Sequence, residues 1–134
     1  MKSKLKKLIP EAIRAIKGAN IPDGEGRVRS IYHGYVSSLG ASIVQAGLLP
    51  AAIFFENSEG EEQGGKVKVC QAIRLMVDWE QNPDFSIPNP ERYRLSEHIL
   101  QNDLQYDTAF LKKVTEYAIA LKIAFRTFEK IQDD

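Results

Sequence analysis

After Arg29 the chain carries no charged side chain until Glu56, although charged residues are 27% of the whole. A neutral run of that length in such a chain is expected to be mostly inside. Residues 27–46 are predicted to form one helix of roughly 30 Å. Val28, Tyr32, Tyr35, Leu39, Ile43 and Ala46 recur at steps of three and four, and Ile31, Val36 and Val44 widen that face into a core helix. Gly34, Ser38, Ala41 and Ser42 form a ridge of small side chains, and Gly40 adds to it, so a neighbouring helix is expected to approach closely. Gly47 fits the left-handed residue that ends a helix, and Pro50 fits the first turn of the next, residues 50–56.

The order and spacing of this hairpin carry a resemblance. Tyr32 or Tyr35 precedes a Ser38 to Ala41 run, then Gly47-Leu48, then a short apolar helix ending in Ile53, Phe54 and Phe55. The run SSLGASIVQAGLLPAAIFFE resembles the small all-helical subunit of the Cmr complex, the type III-B CRISPR ribonucleoprotein that silences RNA in antiviral defence. With a looser likeness at Thr115-Glu116 and the apolar seam that follows, the resemblance covers roughly half the chain. It implies an all-α fold, stacking of several copies of the chain, other Cmr subunits as partners, and a share in the channel where target RNA pairs with guide RNA. At residues 57–65 the chain departs from the family, which often carries a basic residue there.

Read from its start, the chain has the length of one domain, residues 1–134, and 43% hydrophobic residues, enough for a core without staples. A compact bundle of five to six helices is expected. Cys70 is alone, so no disulfide forms within the chain, and an intracellular, cytoplasmic location follows as an expectation. The longest apolar run is too short for a membrane helix. Pro10, Glu11 and Arg14 interrupt any hydrophobic signal region.

A net charge of zero conceals a polarity. Residues 1–55 carry eight lysines and arginines against three acids, and residues 56–134 carry ten against fifteen. Uneven solvated surfaces would explain this, as would two faces for two kinds of partner, one an anionic polymer and one a basic protein surface. In the first helix, residues 4–19, Leu5, Leu8, Ile9, Ala12, Ile13 and Ile16 line the buried side. Lys4, Lys7, Glu11 and Arg14 line the other, flanked by Lys6 and Lys17. Pro10 either kinks this helix or marks its true first turn. Arg27 and Arg29 would sit in the first turn of the core helix, against its dipole, which favours a partner or an internal salt bridge such as one to Glu25. Lys4, Lys7, Arg14, Lys17, Arg27 and Arg29 are the candidate RNA-backbone contacts.

Residues 57–65, with Glu59, Glu61 and Glu62 among glycines, read as an exposed loop unsuited to fixing a metal. Residues 66–82 form a third long helix with Val69, Cys70, Ile73, Met76 and Val77 inward, Trp79 at the edge, and Gln71, Arg74, Asp78 and Gln81 as a polar stripe. Cys70 reads as a small core hydrophobe and Trp79 as a packing residue, with base stacking the alternative. Pro83, Pro88 and Pro90 forbid a regular helix over 83–95, where Phe85, Ile87 and Tyr93 can pin the chain. Ser96 is the expected N-cap of a short helix, and Asp107 that of a last helix reaching Ile131, roughly 35 Å long and packed along the core helix.

Neither His33 nor His98 has a metal-ligand partner at a recognisable spacing, and there is no phosphate-cradling glycine loop, no Cys-x-x-Cys and no His-Glu-x-x-His. No catalytic residue, metal or cofactor is assigned, and the expectation is a protein that is not an enzyme. A helical DNA-binding regulator and a protein–protein adaptor are the alternatives. The first is disfavoured because PAAIFFE offers almost no polar side chain to base edges.

Overall fold

The computed structural model describes residues 2–58 and 64–131. The expected acid cluster at Glu59, Glu61 and Glu62 lies outside them. Among the described residues the fold is all-α, with six α-helices: α1 (Lys2–Gly18), α2 (Ile31–Ala46), α3 (Leu48–Glu56), α4 (Gly65–Gln81), α5 (Leu95–Gln101) and α6 (Thr108–Ala124). Two-residue strands β1 (Val28–Arg29) and β2 (Lys130–Ile131) pair in parallel, with Val28 opposite Lys130 and Arg29 opposite Ile131.

α1 runs unbroken through Pro10, which only deprives the Lys6 carbonyl of its intrahelical donor. Ala12, Ala15 and Ile16 are fully buried, and these small alanines let α1 lie close against α4 and α6. At Gly18 a Cβ would meet Leu75 at 3.0 Å and Trp79 at 3.2 Å, so the absent side chain is what allows that crossing. Each fully buried Ile or Leu, such as Ile16, Ile73 and Leu121, contributes about 1.5–3 kcal/mol. One continuous apolar cluster takes side chains from all six helices.

The core helix differs from expectation in both extent and placement. It starts at Ile31, because Val28 and Arg29 are drawn into the pairing with the chain's end, where Val28 N–H donates to Glu129 and Ser30 N–H to Ile131. Arg27 and Arg29 therefore never oppose a helix dipole. Tyr32, Val36, Leu39 and Ile43 are buried, but Val44 is 85% exposed and Ala46 is exposed too. A Cβ at Gly34 or Gly40 would find nothing within 4 Å, so no side chain among the described residues fills the space beside these two glycines. Neutrality marked a helix half outside.

Gly47 has a φ of 94°, which a residue with a Cβ rarely adopts, and its N–H donates to Ile43, closing α2. α3 then begins one residue on, with Pro50 in its first turn as expected. The polar stripe of α4 faces the proline-rich connection: Gln71 is buried and donates to the Pro90 carbonyl at 2.6 Å, while Arg74 donates to the Arg94 carbonyl at 2.8 Å. Asp78 accepts the Tyr93 hydroxyl, and the Tyr93 ring stacks on Phe85 at 5.8 Å. These bonds pin 83–95, which contains one 3₁₀ turn, Pro90–Arg92.

The cap of α5 is remote. Ser96 lies inside the helix, and the carboxylate of Glu56 at the end of α3 accepts the N–H groups of Leu95 and Ser96. Asp107 caps α6 as expected, accepting Phe110 N–H at 2.8 Å. α6 ends at Ala124, is about 25 Å long, and passes into a 3₁₀ turn (Phe125–Thr127) and β2. It packs against α1 as well as α2. Cys70 is buried among apolar neighbours.

Candidate nucleic-acid interface

Four of the six candidate cations stand on α1. Lys4, Lys7, Arg14 and Lys17 are exposed, with Lys6 beside them and Glu11 as the acid in the row. They are not equivalent. Lys4 Nζ lies 3.1 Å from Glu116 of α6, although its side chain remains 65% exposed. Arg14 donates to the Pro83 carbonyl at 2.9 Å, and its guanidinium lies 3.9 Å above the Trp79 ring. Trp79 is 7% exposed and donates its indole N–H to the Phe85 carbonyl at 2.9 Å. It is sealed under Arg14 as a packing residue, with no face open for a base. Lys7 and Lys17 project from the outer side of the helix.

Arg27 does not join this row. It bridges Asp23 and Glu25, each at 3.3 Å, in a turn closed by Asp23 Oδ1 accepting the N–H groups of Glu25 and Arg27. The hydrogen bond from Arg27 N–H is the main reason that Asp23 is held below its ordinary carboxylate value. The internal salt bridge weighed for this arginine is therefore present. Arg29 lies in β1, beside the chain's end.

Between α1, α4 and α6 lies an ion-pair seam. Lys113 Nζ is 2.6 Å from Glu80 Oε1, and Tyr117 donates to Glu80 Oε2 at 2.5 Å. Burial works to raise Glu80, but the hydrogen bonds from Lys113 and Tyr117 outweigh it and leave the carboxyl below its ordinary value. Burial, and then that same bond, push Tyr117 far above 10. These groups hold helices together and are satisfied by one another.

A second cationic cluster was missed in the sequence. α2 and the end of α6 are joined by Tyr32 stacked on Phe125, with centroids 5.8 Å apart. This brings His33 near Lys122, Arg126 and Lys130, and burial followed by those three charges lowers the imidazole's pKa. Lys130 is partly spent on the carbonyls of Phe125 and Phe128. The four-residue step from Lys122 to Arg126 was a visible signal, but the expected helix to Ile131 hid the turn that gathers these side chains.

Chemically, these arrangements offer bonded and outward-facing cations that could meet phosphate oxygens. Among the described residues no three His, Cys, Asp or Glu side chains gather as a metal site, and no helix is long and apolar enough to cross a membrane. Comparison with known proteins gives no match, whether to family models, to curated proteins or to solved structures.

Proposed function

We propose that this chain is a non-catalytic small subunit of a type III-B CRISPR (Cmr) ribonucleoprotein, acting in the cytoplasm, where it binds other subunits and further copies of itself and lines the channel of guide and target RNA. The observation that carries the RNA part of this reading is the exposed row of cations on α1, in which Lys7 and Lys17 point outward. Cations spaced along one helix neutralise successive phosphates without reading bases, as suits a system in which base pairing supplies the sequence specificity. The hairpin that carries the family resemblance supplies the context. The DNA-regulator alternative finds little support in α3, whose exposed large side chains are Ile53 and Phe54 rather than polar groups for base edges.

The test uses tagged chain purified from its own cells, with identification of bound protein and RNA. Recovery of a multi-subunit assembly holding a defined small RNA is expected. Lys7→Glu with Lys17→Glu should lower RNA retention by the assembly, and retention should fall steeply with salt. Recovery of the chain alone, or unchanged retention by the double variant, overturns the reading or its RNA face respectively.

A further inference from the structure

α2 has no charged residue, yet Gly34, Ser37, Ser38, Ala41, Val44 and Gln45 are exposed. The contrast with α1, whose exposed positions are mainly lysine and arginine, is sharp. Depletion of charge at exposed positions is the composition of an interface core. On the facing helix α6, Leu111, Thr115 and Ile119 are also exposed at four-residue steps. Between the two helices lies a groove of about 270 Å³, floored by Gly40, Ala41 and Ala118 and edged by Val44 and Ile119. Open space above Gly40 admits a backbone close to that floor.

The groove is not electrically neutral along its length. Lys122 lines one end, and Arg126 lies one turn beyond it, next to His33. Among the described residues, Glu129, three positions after Arg126, is an exposed acid. The opposite end, at Val44 and Thr115, is uncharged. We propose that the groove seats an α-helix of a different protein, about three turns long, two to match the roughly 11 Å from Thr115 to Lys122 and one beyond, with apolar side chains at i, i+4 and i+7 and carboxylates in its first turn that meet Lys122 and Arg126.

A second copy of this chain lacks the matching element among the described residues. α1 is basic, and the exposed Ile53 and Phe54 of α3 have only a buried acid, Glu56, on their helix. α5 has seven residues and α4 is largely buried; α2 has no acid, and the acid of α6, Glu116, is buried. Nucleic acid fits poorly, because phosphates would lose water against Val44 and Ile119 with cations at one end alone. The inference does not rest on the RNA-guided reading, since α1 and this groove use different surfaces.

The probe is a synthetic eighteen-residue helical peptide with leucines at i, i+4 and i+7 and three glutamates in its first turn; a control carries lysines there. Titrated into the isotope-labelled full chain, the acidic peptide should shift the amides of Ser37, Gly40, Ala41 and Val44 and bind at least tenfold tighter than the control. Lys122→Glu with Arg126→Glu should reverse that preference. Gly40→Leu, which fills the groove, should abolish binding with the thermal melt retained. Absence of shifts at these amides, equal affinity for both peptides, or normal binding by Gly40→Leu overturns the proposal. Shifts at the same amides on raising protein concentration alone also overturn it, by assigning the groove to a second copy.

Discussion

The carboxylate of Glu56, buried at the end of α3, accepts the backbone N–H of Leu95 at 2.6 Å. It thereby closes the start of a helix that lies 39 residues further along the chain and has no side-chain cap of its own.

Burial raises the pKa of Glu56, against the lowering effect of the Ser96 and Leu95 hydrogen bonds and of Arg94. The folded state then holds this proton more tightly than the unfolded chain does. Its contribution to stability is full below the ordinary value of 4.5 and is lost as pH rises through the higher folded value. Glu56→Gln should flatten the fall in stability above pH 4.5, read from urea melts at pH 5 and 7. Glu56→Ala, which strands the N–H of Leu95, should cost about 1–3 kcal/mol. A glutamine variant with the wild-type slope would contradict this account.

Tyr93 and Tyr117 should ionise late. Burial, followed by bonds to Asp78 and Glu80, raises both well beyond 10. Both groups stabilise the fold fully up to the ordinary value of 10, and this contribution is lost as pH climbs through their folded values. In an absorbance titration at alkaline pH, these two should appear only as the fold gives way. Tyr117→Phe should remove one late group and strengthen alkaline stability, at a cost near neutrality of about 1 kcal/mol. Normal titration of all five tyrosines in the folded protein would refute the two bonds.

Arg14 is a structural cation and Lys7 is not. Arg14→Ala removes the guanidinium over Trp79 and the bond to Pro83, and should cost about 1–2 kcal/mol with a red-shifted tryptophan emission. Lys7→Ala should stay within about 0.5 kcal/mol of wild type with unchanged emission. Similar emission from both variants would count against the sealed ring.

Gly40 sits inside a helix facing open space. Gly40→Ala should therefore stabilise the protein by about 0.5–1 kcal/mol, measured by chemical denaturation. At Gly18 the same change meets Leu75 at 3.0 Å and should gain less or destabilise. If the two alanines had equal effects, the difference in their surroundings would be wrong.

Much of the fold was legible because it is written locally. The stepped apolar residues of α1, α4 and α6, the cap at Asp107 and the turn at Gly47 each announce themselves within a few positions. What stayed hidden depends on distant partners. Neither the capture of Val28 and Arg29 by Lys130 and Ile131 nor the capping of Leu95 by Glu56 leaves a short-range signal. The neutral run differs for another reason: absence of charge permits burial without requiring it, and uncharged Ser37, Ser38 and Gln45 are exposed. The cationic row on α1 was visible in its spacing, but the division of its members into locked and outward-facing cations needed Pro83, Trp79 and Glu116 in place.

The short parallel pairing of β1 with β2 joins positions about a hundred residues apart, so its loop-closure entropy is met only after the intervening helices have drawn the ends together. It should therefore close late in folding. Its few bonds leave most of the holding to the side chain of Val28, which is 1% exposed in the core, so the amide of Ser30 should exchange with solvent before those of α4 or α6, while that of Val28 follows the core.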